Sequence, residues 1–201
     1  MLAFIRKKEN KMTIKTYGAI IIDEKTKSVL CVKPYRNSPW DFPKGQQDKE
    51  EEESLDTAKR EVREETGLIC NEDYKFNGEE VSTDVYGSGR RRKVATYFIA
   101  TTLKDRDQIT VDLTKAIVKD KKGNTVYKKD GSGPLLENEV YGWIDFEKVK
   151  EAFSGIERLK PVINFLVEKL ESLKDNDSPA TSLEEYQESK KLKDVYSFVK
   201  D

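Results

Sequence analysis

Three glutamates, Glu61, Glu64 and Glu65, lie within the run Arg60-Glu61-Val62-Arg63-Glu64-Glu65-Thr66-Gly67-Leu68. On an α-helix, residues i, i+3 and i+4 share a face. The spacing therefore gathers these three carboxylates and turns Val62 and Leu55 elsewhere. Carboxylates this close repel one another. A hard, oxygen-preferring cation relieves the repulsion, and Mg2+ or Mn2+ fits, since both accept carboxylates and keep positions for water and substrate phosphates. The same residues would also make a solvated, salt-bridged helix, with Arg60 and Glu64 at i,i+4 spacing, and the glutamates alone leave the two readings even. Histidine is absent from the chain. That excludes Ser-His and Cys-His triads, His-ligated zinc and a histidine base. Acid–base work falls to carboxylates, lysines or tyrosines.

The flanking residues shift the balance. Gly45 precedes an acidic stretch that leads into the glutamate run. The ordered set resembles the Nudix box: a glycine, a glutamate several residues on, then Arg-Glu-aliphatic-any-Glu-Glu-any-Gly-aliphatic. Every position of the second half is matched, so the signal is far more specific than a lone short motif. There is one departure. The family places its first glutamate six residues after the glycine and eight before the arginine, and here the interval from Gly45 to Arg60 is one residue longer. Eight residues of helix rotate about 80° net and nine about 180°, which favours Glu52 over Glu51 as the partner of Arg60. An extra residue is also easier to hold in a loop than inside a helix.

The resemblance implies a Nudix-type α/β/α sandwich around a mixed sheet and a hydrolase of phosphoric anhydrides. It implies that Glu61, Glu64 and Glu65, helped by the Gly45 carbonyl, bind Mg2+ or Mn2+, and that Glu52 and Arg60 form a supporting ion pair. Two or three metals would neutralise the diphosphate and lower the pKa of a bound water, with positioning and charge neutralisation supplying most of the acceleration. The general base differs between subfamilies: Glu64, or a glutamate of a later loop, for which Glu139 is the candidate with Glu137 behind it. Phe42-Pro43-Lys44-Gly45 resembles the entry of family members acting on phosphate-rich ligands, which makes Lys44 a candidate phosphate contact. Arg90-Arg91-Arg92-Lys93 opens a strand, so alternate side chains, Arg91 and Lys93 among them, can face the cleft. Lys119, Lys121, Lys122, Lys128 and Lys129 form a second basic surface. Tyr35, Trp40 and Tyr86 could stack a base or simply anchor loops.

On these grounds the favoured substrate is a dinucleoside polyphosphate or a diphosphoinositol polyphosphate. The alternative is the 5′ end of an RNA, by decapping or pyrophosphate removal. A non-catalytic ligand sensor on the same fold is the rival of another class, against which the intact glutamate set argues.

The elements that must position these residues follow from pattern. Residues 15–22 and 28–32 read as buried strands, and 93–103 as a β-branched and aromatic central strand. Residues 48–66 contain neither Gly nor Pro and form the strongest helix, closed by Gly67. Residues 119–129 form a hairpin turning at Gly123-Asn124, and 140–144 a short strand. Asp145 caps a helix through Phe153. Residues 159–173 form an amphipathic helix whose stripe is Ile163, Leu166, Val167 and Leu170. The order suggests helices on both faces of a mixed sheet. Domain organisation reads as an extension over 1–12, a catalytic domain over 13–173 and a charged tail over 174–201.

The 201 residues are 36% hydrophobic, enough for one core, and 37% charged, with a net charge of −1. Whole-chain charge therefore points neither toward nor away from nucleic acid. Cys31 and Cys70 form no CxxC pair and read as free thiols. No apolar run reaches the ~20 residues of a membrane span, and the N-terminus lacks a signal-peptide h-region. A cytoplasmic setting is the resulting expectation.

Overall fold

A computed structural model describes residues 13–35, 38–47, 52–88 and 91–175. The expected extension over 1–12, Glu51, Arg90 and the tail beyond 175 lie outside the described residues. Contacts divide the chain after Glu168, so the second unit contributes to the described residues only the end of the last helix.

The sheet is built around β1 (Ile14–Asp23), whose run from Ala19 to Ile22 is wholly buried. A continuous apolar run marks a strand covered on both faces. β1 lies parallel to β5 (Lys93–Thr102), in register from Ile14 opposite Lys93 to Ile22 opposite Thr101. On its other side β1 divides its partners. Its end pairs antiparallel with β2 (Ser28–Pro34), and its beginning with the three-residue β3 (Lys44–Gln46). β4 (Tyr74–Ser82) borders β5, and β6 (Asn138–Asp145) borders β2, giving the order β4-β5-β1-β2-β6. The splay between β1 and β2 admits the loop that carries Asp41 and Pro43: Val32 and Asp41 exchange two backbone hydrogen bonds of 2.9 Å, and the Pro43 carbonyl accepts from the Ala19 N–H.

Helix α1 (Ser54–Thr66) covers one face, with Val62 packed among Ala19, Ile21, Leu30, Leu68, Tyr74 and Ala100. Tyr97 and Ala100 lie at positions of opposite parity along β5, so their side chains point to opposite faces. On the far face Phe42 meets Tyr97 edge-on at 5.5 Å and stacks on Phe153 at 4.9 Å. Helix α2 (Val149–Ala152), which ends at Phe153, belongs to this second layer; Val149, Leu159, Val162 and Leu166 are fully buried, the last two on helix α3 (Lys160–Asp175). The result is the mixed sheet with helices on both faces.

Three elements differ from the sequence reading. Helix α1 begins at Ser54, not at residue 48. Glu52 precedes the helix, its carbonyl accepting from the Gln47 side chain and its carboxylate drawn to Arg60. Asp145 does not cap a helix: its carboxylate pairs with Lys148 at 3.4 Å, and the chain passes through a 3-10 turn before α2. The short β3 has no three-residue sequence signature, because what makes it a strand is the exposed edge of β1. At the other end of α1, Gly67 adopts φ 76° and donates to the Arg63 carbonyl, closing the helix as expected. Cys31 and Cys70 are free thiols.

Candidate active site

The glutamate face of α1 is unequal. Glu61 and Glu65, one turn apart, are each only 8% exposed, whereas the Glu64 side chain is 55% exposed. Val62 beside them is buried in the core, so packing of α1 fixes the direction of both inward carboxylates.

Arg60 is the hub of the site. Its Nη1 donates to Glu61 Oε1 at 2.7 Å and reaches Glu64 Oε2 at 3.4 Å. Its Nε and Nη2 grip the two carboxylate oxygens of Glu52 at 3.1 and 3.3 Å, and Nη2 also donates to the Gln46 carbonyl at 3.0 Å. One guanidinium thus ties the helix, the approach to the helix and the Gly45 loop together, using the rigid fork that suits arginine to several acceptors. Gly45 itself pairs with Tyr17 and lies so close to α1 that a Cβ there would overlap the Glu61 carboxylate. Only glycine allows this approach.

Glu65 has different neighbours. Asn138, 3% exposed at the start of β6, donates from Nδ2 to Glu65 Oε2 at 3.0 Å. Burial pushes the Glu65 carboxyl up to about 8; the charge of Lys44 and the Asn138 hydrogen bond oppose the rise, while Glu61 and Glu137 add to it. Burial likewise pushes Glu61 up to about 7, against the pull of Arg60 and with help from Glu64 and Glu137. Glu137 is solvent-exposed by surface area, yet crowding by surrounding protein raises its carboxyl, with Glu64 adding to the rise and Lys119 opposing it. Glu137 therefore acts on both buried carboxylates, and Glu139 is exposed on β6.

Lys44 points inward. Its ammonium pairs with Asp41 Oδ2 at 2.7 Å, and Asp41 also accepts from Arg158 at 2.8 Å and from the Tyr97 hydroxyl at 2.9 Å. Burial alone would raise the Asp41 carboxyl, but the Lys44 and Arg158 charges outweigh it and hold it low. Arg158 lies over the Tyr86 ring at 5.5 Å and keeps a buried Nη1 with no hydrogen-bond partner. Arg91 is exposed; Lys93 exchanges backbone hydrogen bonds with Tyr86 and, by strand alternation, shares the face of Tyr97. No hydrogen bond or ion pair joins Arg91 or Lys93 to the glutamates. Trp40 lies over Gly142, where a Cβ would come within 3.3 Å of its ring.

Among the described residues no three acidic, histidine or cysteine side chains are already gathered as a cation cage. The donor set nevertheless fits a hard divalent ion. It consists of the Glu61, Glu64 and Glu65 carboxylates beside the Gly45 backbone, with Glu61 and Glu65 buried and their carboxyls raised by desolvation, at an approach that only glycine permits. A cation would replace the protons these groups otherwise retain and would compete with Arg60 for Glu61. Sequence reasoning missed Asn138, Asp41 and Arg158. Asn138 meets Glu65 across 73 residues and Arg158 meets Asp41 across 117, separations that leave no local pattern in the sequence.

A mixed sheet carrying a glycine-approached glutamate helix defines a phosphoric-anhydride hydrolase scaffold. The model of the NUDIX domain matches residues 12–122, and the chain belongs to the Nudix family. It is similar to the mRNA-decapping enzyme subunit 2 of Arabidopsis thaliana, 37% identical over 95 residues, covering 47% of this chain and 24% of that protein. It is also similar to the mRNA decapping complex subunit 2 of Schizosaccharomyces pombe, 44% identical over 62 residues, covering 30% of this chain and 8% of that protein. The chain therefore spans a quarter or less of these relatives. In structure it is similar to a C. elegans Ap4A hydrolase, with a TM-score of 0.55 and 18% identity over 80% of this chain and 98% of that one, a likeness of fold alone.

Proposed function

We propose that this chain is a Mg2+- or Mn2+-dependent pyrophosphohydrolase that cleaves the anhydride at the 5′ end of a capped RNA. The observation that carries the hydrolase reading is the pair of buried carboxylates, Glu61 and Glu65, oriented by Arg60 and Asn138 against the Gly45 approach. The RNA substrate is supported by the decapping relatives, which reverses the preference for small polyphosphates drawn from residues 42–45.

Glu61, Glu64, Glu65 and the Gly45 carbonyl would hold the metal, which supplies charge neutralisation for the diphosphate and a water of lowered pKa. Arg60 holds Glu61 and the loop in register, and Asn138 keeps one oxygen of Glu65 turned inward. Glu64, exposed at the mouth of the site, or Glu137, whose charge reaches Glu61, Glu64 and Glu65, accepts the proton of the attacking water. Glu137, which stood behind Glu139 in the sequence reading, is preferred as the loop candidate because its charge acts on both buried carboxylates, Glu61 and Glu65. Arg91 and Lys93 are the cations proposed to meet substrate phosphates. Lys44, committed to Asp41, acts through its field on Glu65.

The test is product release with Mg2+ from a capped RNA, a diadenosine polyphosphate and a diphosphoinositol polyphosphate. Selective turnover of the capped RNA is expected. Preference for either small molecule would move the substrate to the second reading, and binding without turnover of any of them would make the protein a sensor.

A further inference from the structure

Between β5 and β6 the chain builds a small unit of its own. Three short segments close on one another: the Val118 N–H donates to Leu135, Leu135 to Val126, and Val126 back to Val118, at 2.8, 2.8 and 2.9 Å. Two tight turns join them. In the first, the Asp120 carboxylate accepts from the N–H groups of Lys122 and Asn124; in the second, Asp130 accepts from Ser132. Leu135 is buried, so the unit is seated on the domain. Residues 117–136 hold five lysines against two aspartates, a net charge of +3 in a chain whose total is −1. None of the five lysines forms an ion pair with another described side chain. Tyr127, between the turns, is 67% exposed, the most open large hydrophobic residue described.

Pairing sets the faces. Lys119 is opposite Thr125, and Tyr127 is opposite Pro134. Thr125 and Tyr127 are two apart on one extended segment, so Lys119 and Tyr127 share a face. The unit runs directly into the active site: the Glu137 N–H donates to the Ala116 carbonyl, and the next residue, Asn138, holds Glu65. The two lysine-bearing turns lie at opposite ends of residues 125–128, roughly 13 Å apart at strand rise. Cations spread this far, with an open aromatic ring between them, match a linear polyanion with unpaired bases better than one compact polyphosphate. The open face of the Tyr127 ring is a surface on which a base can stack.

We propose that this unit, presenting Lys119, Lys121, Lys122, Lys128 and Lys129 around Tyr127, is the docking surface for the single-stranded RNA that follows the cleaved anhydride. The inference rests on the RNA reading above. Lysines neutralise successive phosphates, and Tyr127 stacks one base without reading its identity.

The test uses the full chain with the substitutions Lys121→Ala, Lys122→Ala and Lys129→Ala together, and separately Tyr127→Ala. All four positions are exposed, so the fold should persist. The probe is an unstructured RNA of about 16 nucleotides, read by fluorescence anisotropy across a salt series, and the same RNA capped, read by hydrolysis. The triple variant should bind at least tenfold more weakly and lower the slope of log affinity against log salt by about 2, near 0.7 for each lost phosphate contact. KM for the capped RNA should rise similarly with kcat unchanged, and turnover of a cap dinucleotide should not move. RNA affinity equal to that of the unsubstituted protein would overturn the proposal, as would an unsubstituted protein that binds no RNA. RNA binding lost with these lysines in a protein that hydrolyses no capped RNA would keep the surface and overturn only the substrate reading.

Discussion

Glu61 and Glu64 are three residues apart and differ in almost every physical respect. Glu61 is buried, hydrogen-bonded to Arg60 and pushed up to about 7, while Glu64 faces solvent across a 3.4 Å contact with the same arginine. Glu64→Gln should therefore leave folding intact and lower kcat by about 100-fold or more, as expected of a group proposed to hold the metal and to take the proton of the attacking water. Side-by-side kinetics with Glu137→Gln and Glu139→Gln would then identify the base: Glu139→Gln should match the unsubstituted enzyme, and a large loss there would return Glu139 to the site. Asn138 acts through Glu65. Asn138→Ala should weaken metal affinity by about 10–100-fold, the usual effect of losing a group that orients a ligand, and a metal titration followed by thermal shift would show it. Unchanged affinity would reduce Asn138 to a packing residue.

At the scale of elements, the helix carrying the glutamates was legible because its signals are local: helix-forming residues, i+3 and i+4 spacing, and Gly67 at the end. Its start was not. Four consecutive glutamates read as helix, yet Glu52 leaves helical geometry to reach Arg60 and Gln47. The bias toward Glu52 over Glu51 rested on helical rotation, although Glu52 is not helical in the structure. The contact of Arg60 with Glu52 arises instead from the path of the loop. Strand β3 and the Asp41–Lys44–Arg158 cluster were illegible for another reason, since they depend on partners more than a hundred residues away or on a gap between neighbouring strands. The packing that aims the glutamates can be tested directly. Ile21→Ala, beneath α1, should cost about 2–5 kcal/mol by opening a cavity under Val62, read as a shift in denaturant midpoint. Gly67→Ala should cost about 1 kcal/mol, because φ 76° is strained for any residue with a Cβ.

Across the whole molecule, the buried carboxylates couple folding to pH and, as the proposed metal ligands, to Mg2+. Folding raises Glu61 from 4.5 to about 7 and Glu65 from 4.5 to about 8. The native state then holds protons that the unfolded state has released, so the stability from these groups is present below pH 4.5 and is lost as pH rises through about 7 to 8. At about 1.4 kcal/mol per unit, the loss is on the order of a few kcal/mol. Metal-free protein should melt at progressively lower temperature from pH 5 to 8.5, and Mg2+ should stabilise it most at the upper end, where it no longer competes with protons. A melting temperature that rose over this range without metal would mean the carboxylates are not buried as described. No helix among the described residues is long and apolar enough to cross a membrane. The divalent-cation site proposed on the glutamate face of α1 makes hydrolysis of the phosphoric anhydride depend on metal. The most direct measurement is the rate of product release from capped RNA against Mg2+ concentration, for the unsubstituted chain and for Glu61→Gln. No turnover without metal, saturation as Mg2+ is added and a loss of about 100-fold or more in the variant are expected; turnover that persisted in chelator, or that survived Glu61→Gln undiminished, would rule out a metal site on this face.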